Sequence, residues 1–131
     1  MNVAIVCAQG LGDALLMMIV AHQFKLSGYK PTIFHNYAKE LTSLFKDVSI
    51  LPYPSLDQLE ETLARFERVI IENDHSKRAY GLFELREAKK LNNLIFFFPT
   101  ASSKFQEGDF LFDPYLPVAS NLCRACQTTL Q

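Results

Sequence analysis

The chain carries no excess of charge of either sign, no long hydrophobic run and no even set of cysteines. Each absence removes a class of protein. Thirteen Lys and Arg stand against fourteen Asp and Glu, a formal net charge of -1. A dedicated DNA or RNA binder shows a basic footprint, so nucleic acid is not an expected partner. The longest apolar run, Ala14 to Ala21, stops at His22-Gln23. A membrane-spanning helix needs about 20 residues, which this run does not reach. No basic segment precedes it, so it does not read as a signal peptide, and a cytoplasmic location is expected. Three cysteines are an odd number and give no secreted disulfide framework. Cys7 lies in an apolar strand and reads as a small buried hydrophobe. Cys123-Arg124-Ala125-Cys126 forms a C-x-x-C with no second pair for zinc. It falls inside a helical pattern, where a redox pair would open one, so it reads as packing and no metal is expected.

What remains is the composition of an ordinary globular domain. The 131 residues are 49% hydrophobic and 21% charged. That length and composition predict one domain, residues 1–131, able to bury a core without staples.

Strands and helices alternate along it. Residues 2–8 read as a buried strand, and residues 13–27 as a helix with Leu15, Leu16, Ile19, Val20 and Phe24 at helical spacing and Gly28 as its stop. Pro31 to His35 is a second strand, and Tyr37 to Phe45 a short helix with Asn36 as candidate N-cap. Val48 to Leu51 is a third strand, and Ser55 with Gln58 suggests a capping box for the next helix. Arg68 to Glu72 is the fourth strand, residues 76–91 a helix, and Leu94 to Phe98 the fifth strand. Residues 99–116 read as irregular. Pro117 then opens a terminal helix with Val118, Leu122, Cys126 and Leu130 as its apolar stripe. About five apolar strands separated by helices predict an α/β fold, a Rossmann-like doubly wound and mostly parallel sheet.

In such a sheet the loops after the first, second and fourth strands share one edge, where ligands bind. Those loops carry Gln9-Gly10-Leu11-Gly12-Asp13, His35-Asn36 and Asn73-Asp74-His75. Gly10 and Gly12 supply a G-x-G, but Leu15 stands where a dinucleotide fingerprint has its third glycine. His35-Asn36 replace the acidic ribose partner, Asp13 sets a negative charge beside any pyrophosphate, and no G-K-[ST] follows for a P-loop. Asp13 is read in two ways. It is a general base that takes a proton from a sugar hydroxyl, or a complement to the helix dipole. Asp74 and His75 are candidate binding or acid–base groups, and Asp74 or Ser76 is equally a cap for the following helix. Lys77, Arg78, Arg86, Lys89 and Lys90, interleaved with Glu84 and Glu87, read as a solvated helix face. The sharper alternative is a patch for anionic lipid or phosphorylated saccharide, which would allow peripheral membrane association.

Gln9-Gly10-Leu11-Gly12-Asp13-Ala14-Leu15-Leu16 resembles the glycine–aspartate turn that opens the heptosyltransferase-like glycosyltransferases of family 9. Gly28 to Phe34 resembles their second strand, Arg65 to Glu72 their fourth, and Asp113 to Leu122 the segment leading to their second domain. The resemblance implies the acceptor-binding half of a two-domain GT-B transferase of lipopolysaccharide biosynthesis. It implies inversion by direct displacement, with Asp13 as the base. Gln9, Gly10, Leu11, Gly12, Asn36, Asn73, Asp74 and His75 are then the expected contacts to a lipopolysaccharide-type saccharide. It also implies no cofactor bound by this domain, since the nucleotide-sugar donor sits on the second half. The chain stops where that half should begin, so an incomplete enzyme is expected, awaiting a donor-binding domain or subunit. The rival expectations are a nucleotide-binding Rossmann module and a non-catalytic interaction subunit with an exposed stripe on the terminal helix.

Overall fold

A computed structural model of the chain describes residues 1–98 and 104–130. Six strands are present: β1 (Asn2–Val6), β2 (Lys30–Phe34), β3 (Ser49–Leu51), β4 (Arg68–Glu72), β5 (Leu94–Phe98) and β6 (Phe110–Leu111). They form one sheet in the order β3-β2-β1-β4-β5-β6, and every pair is parallel. Five α-helices flank it: α1 (Leu11–Leu26), α2 (Ala38–Leu44), α3 (Leu59–Leu63), α4 (Lys77–Glu87) and α5 (Val118–Leu130). The fold is therefore the expected Rossmann-like α/β sheet, with one strand more than the five read from the sequence.

Both faces of the sheet are covered, and alternation along the strands sorts the core into two layers. Val3, Ile5 and Cys7 point to the layer holding Met17, Val20 and Phe24 of α1, Leu41 of α2 and Leu122 of α5. Ala4 and Val6 point to the other, with Leu63 of α3 and Leu82 and Phe83 of α4. The continuous apolar runs are the signature of strands buried on both sides. In Leu94–Phe98, Phe96 and Phe98 stack with Phe83 while Phe97 faces the opposite layer beside Phe112. Among the described residues no helix is long and apolar enough to cross a membrane.

Local chemistry moves several boundaries. The first helix ends as Gly28 predicts. Gly28 takes φ +89°, its N–H donates to Lys25, and the Tyr29 N–H donates to Phe24. The Phe24 and Tyr29 rings close the motif edge to face at 5.2 Å. Helix α4 uses the same device without glycine. Lys89 takes φ +57°, the N–H groups of Lys89 and Lys90 donate to Arg86 and Leu85, and the helix stops at Glu87 instead of running to 91. Asn36 does not cap α2: Tyr37 holds that position, and its N–H donates to Nδ1 of His35. The Ser55–Gln58 capping box does not form, since the Ser55 carbonyl takes the Gln58 N–H in a short 3-10 turn over Leu56–Gln58. Ser76 does cap α4, accepting from the Ala79 N–H at 3.2 Å.

Two basic residues leave the solvated face assigned to them. Arg86 is buried in a bidentate pair with Asp109, at 2.7 and 3.0 Å. Arg78 lies 3.6 Å over the Tyr53 ring and pairs with Asp74 at 3.2 Å. Arg86–Asp109 also explains the unexpected sixth strand. The Asp109 carboxylate accepts the Phe96 and Gln106 N–H groups and so extends the edge of β5 up to the two residues of β6. Of the stretch expected to be irregular, residues 99–103 lie outside the described residues. On α5, Leu122 and Cys126 are fully buried against the α1 layer and only Val118 is largely exposed. The stripe expected to await a partner is thus mostly consumed by the core.

Candidate functional site

The chain reverses its winding between β1 and β4. α1 and α2 lie on one face and α3 and α4 on the other, so the loops after these two neighbouring strands splay apart at their carboxyl ends. This is the position at which open α/β sheets bind ligands. The turn after β1 (residues 7–13) and the loop after β4 (73–76) meet here.

The first turn is built around Gly10. Its φ of +113° and ψ of 138° belong to a conformation that only glycine adopts easily, and it places Gly10 at the N-cap of the 16-residue α1. A Cβ at Gly10 would stand 2.8 Å from Oδ2 of Asp13. The Asp13 carboxylate therefore folds back over the bare Cα of Gly10, half-buried in the first turn of the helix. That end of the helix carries partial positive charge and unpaired N–H groups. A fixed carboxylate already occupies it.

Three side chains from three other segments hold this turn. His35, fully buried at the end of β2, meets the Gly10 carbonyl through Nε2 at 2.9 Å. Since its Nδ1 accepts from Tyr37, the ring proton on this side resides on Nε2 and donates. Tyr53, after β3, donates its hydroxyl to the Cys7 carbonyl at 2.7 Å. Glu72, the last residue of β4 and 5% exposed, accepts the Ala8 N–H at 2.9 Å. The Cys7 N–H still donates to the Phe34 carbonyl of β2 at 3.3 Å, but the Cys7 carbonyl and the Ala8 N–H are taken by side chains, so the strand ends at Val6 although the apolar pattern runs to residue 8.

The electrostatics of the turn are acidic. Burial pushes the Glu72 carboxyl up to about 7, against the Ala8 hydrogen bond, and the charges of Asp13 and Asp74 push in the same upward direction as burial. Burial also raises the Cys7 thiol, with Glu72 and Asp13 adding to it, so Cys7 is not a poised nucleophile. Burial raises the Cys126 thiol to about 12, with Cys123 adding to it, the reverse of a redox C-x-x-C. Arg78 is the cation that acts on Cys7 and Tyr53, and it is shared between Asp74 and the Tyr53 ring.

Glu72 therefore has a measurable signature. An ordinary glutamate ionises near 4.5, whereas the folded one keeps its proton to about 7. Between these values the folded chain binds more protons than the unfolded one. The contribution of this group to stability falls as pH rises from 4.5 to about 7 and is level on either side. Gln at position 72 retains an acceptor for the Ala8 N–H and cannot ionise. Urea denaturation of the wild type and Glu72→Gln between pH 4.5 and 8 should show the wild type losing stability relative to the variant across that window. Curves that stay parallel would show that the carboxyl is not held protonated.

The predicted residues divide. Gln9, Gly10, Leu11 and Gly12 are exposed around the half-buried Asp13. Across the switch point Asn73 is buried, Asp74 half-buried and His75 exposed at φ +58°. Asp74 accepts the Ser76 N–H, and Asn73 accepts that of His75 at 3.4 Å. Asn36 is exposed on the same edge with no hydrogen bond to the turn among the described residues. His35, Tyr53, Glu72 and Arg78 complete the site; the sequence placed His35 on the ligand edge and Arg78 on a basic helix face, and did not single out Tyr53 or Glu72. The sequence signal for two of them was a polar residue ending an apolar strand. A hollow of about 350 Å³ between α1 and the α2–β3 connection, lined by Met18, His22, Phe45 and Val48 among others, opens on the opposite edge and holds none of these residues. Among the described residues no group of three potential ligands is placed to hold a metal ion.

The chain matches no protein-family model, and no curated protein matches it significantly.

Proposed function

We propose that this domain is the acceptor-binding half of a glycosyltransferase acting on a lipopolysaccharide-type saccharide, with Asp13 as the base that receives the proton of the attacking hydroxyl. The observation that carries the reading is the carboxylate folded over Gly10 at the start of α1. A helix N-terminus at a switch point ordinarily invites phosphate. Here a fixed negative charge takes that place, which disfavours a nucleotide and suits a hydroxyl-bearing ligand whose proton must be removed. The partial positive charge of the helix N-terminus attracts the Asp13 side chain, and a carboxylate held in place at the cleft is a group suited to general-base work. A nucleotide-sugar donor then belongs to a second α/β half facing this edge, and a cytoplasmic location goes with the same reading.

The test is a ligand screen read by amide chemical shifts. Core oligosaccharides should perturb residues 9–13 and 73–75, whereas NAD, ATP and nucleotide sugars should not. Perturbation by nucleotides alone would replace this reading with the nucleotide-binding one.

A further inference from the structure

Helix α1 runs for 16 residues and α2 for seven, so at about 1.5 Å per residue α2 is less than half as long. The chain then crosses to β3 through residues 45–48. Between this crossing and the second half of α1 lies the hollow of about 350 Å³, on the edge opposite the switch point. Its volume falls at the small end of the range for small-molecule sites. Met18, Phe45 and Val48 supply apolar lining, each partly buried and packed against the core. Leu44 stands beside them 71% exposed, an apolar side chain that the fold leaves to water.

The polar lining is mainly basic. His22, Lys25 and Lys46 are exposed there, against one carboxylate, that of Asp47. The Lys25 ammonium donates to the Asp47 carbonyl at 3.3 Å and has no carboxylate partner among the described residues. Neither Lys46 nor His22 has a hydrogen bond or ion pair among the described residues. Lys25 lies in the last turn of α1 and Lys46 just past the end of α2, where cations complement the helix dipoles. That complement accounts for their place in the sequence. It does not account for the apolar hollow they border.

We propose that this hollow takes a single-chain anionic amphiphile, an alkyl carboxylate, with its chain on Met18, Leu44, Phe45 and Val48 and its head at Lys25 and Lys46. The chain removes the exposed apolar surface of Leu44 from water. The head supplies the carboxylate that neither ammonium has, beside an apolar wall where such a pair gains strength. An alcohol with the same chain keeps the first contribution and loses the second. An alkylammonium meets two like charges, with only the Asp47 carboxylate to offset them. Acetate brings the head without the chain.

The experiment uses the chain as it stands and four probes: octanoate, octanol, octyltrimethylammonium and acetate. Each is titrated below its micellar concentration at low salt, with amide shifts as readout. Octanoate should perturb residues 18–25 and 44–48 saturably and bind about tenfold more tightly than octanol, with the other two weaker still. Lys46→Gln should cut octanoate affinity several-fold and leave octanol as before. Leu44→Ser should weaken both. Each replaces an exposed side chain, so the amide spectrum away from the hollow should stay as in the wild type. Equal affinity for octanoate and octanol, or a preference for octyltrimethylammonium, overturns the assignment. So do octanoate shifts that fall elsewhere, or none at all. Such a failure leaves the reading of the switch point untouched, because the two lie on opposite edges of the sheet.

Discussion

Asp109→Ala is expected to destabilise the fold by about 3–5 kcal/mol, the cost of breaking a buried ion pair from one side. Asp109 has a side chain only 1% exposed and takes four hydrogen bonds. Two come from the Arg86 guanidinium, one from the Phe96 N–H and one from the Gln106 N–H. Alanine would leave a buried cation whose remaining support is the Lys104 carbonyl and the face of the Phe96 ring, 4.5 Å away. It would also strip a partner from the edge of β5. Urea denaturation measures the loss. Amide exchange should show the damage first at Phe112, whose N–H pairs with the Phe98 carbonyl beyond β6. A loss below about 1 kcal/mol, the scale of an exposed ion pair, would mean that the pair does not hold the sixth strand.

Asp13→Asn should have the second large effect, and on rate instead of stability. In a transferase completed by a donor-binding half, turnover should fall by about 10²–10⁴-fold, the usual contribution of a positioned general base. That corresponds to about 3–5 kcal/mol of transition-state stabilisation. The fold should barely notice, because a first-turn carboxylate typically contributes about 0.3–1 kcal/mol through the helix dipole. Acceptor affinity should change little if the residue acts in the chemical step. Unchanged turnover would leave Asp13 as a helix complement and remove it from the mechanism. Equal losses in affinity and rate would make it a binding group.

The strands were the most legible part of the chain. β4 and β5 fall on the residues their apolar runs mark, because strands buried on both faces leave few other readings. The edge of the sheet was not legible. β6 spans two residues, and a carboxylate rather than an apolar pattern holds it in place. The end of α4 was hidden for a related reason: a lysine adopts the left-handed backbone that a glycine would have advertised. At the site, the glycine turn and its aspartate could be placed because sequence-local chemistry creates them. Their supports could not, because Glu72 reaches Ala8 across 64 positions and His35 reaches Gly10 across 25. In one dimension each is merely a polar letter closing a hydrophobic word. Arg78 and Arg86 misled in the opposite direction, since helical spacing among acidic neighbours suggests solvent and only the packed structure supplies Tyr53 and Asp109.

The tethering of the turn after β1 limits how anything can dock there. The carbonyls of Cys7 and Gly10 and the amide of Ala8 are each engaged by a side chain from elsewhere in the chain. Little main chain between Cys7 and Gly10 is left to wrap a guest, as glycine-rich cradles do. A guest meets interchangeable side groups on an unyielding path. Its preferences can therefore be rewritten by exchanging a few of those groups while the route of the polypeptide stays as it is.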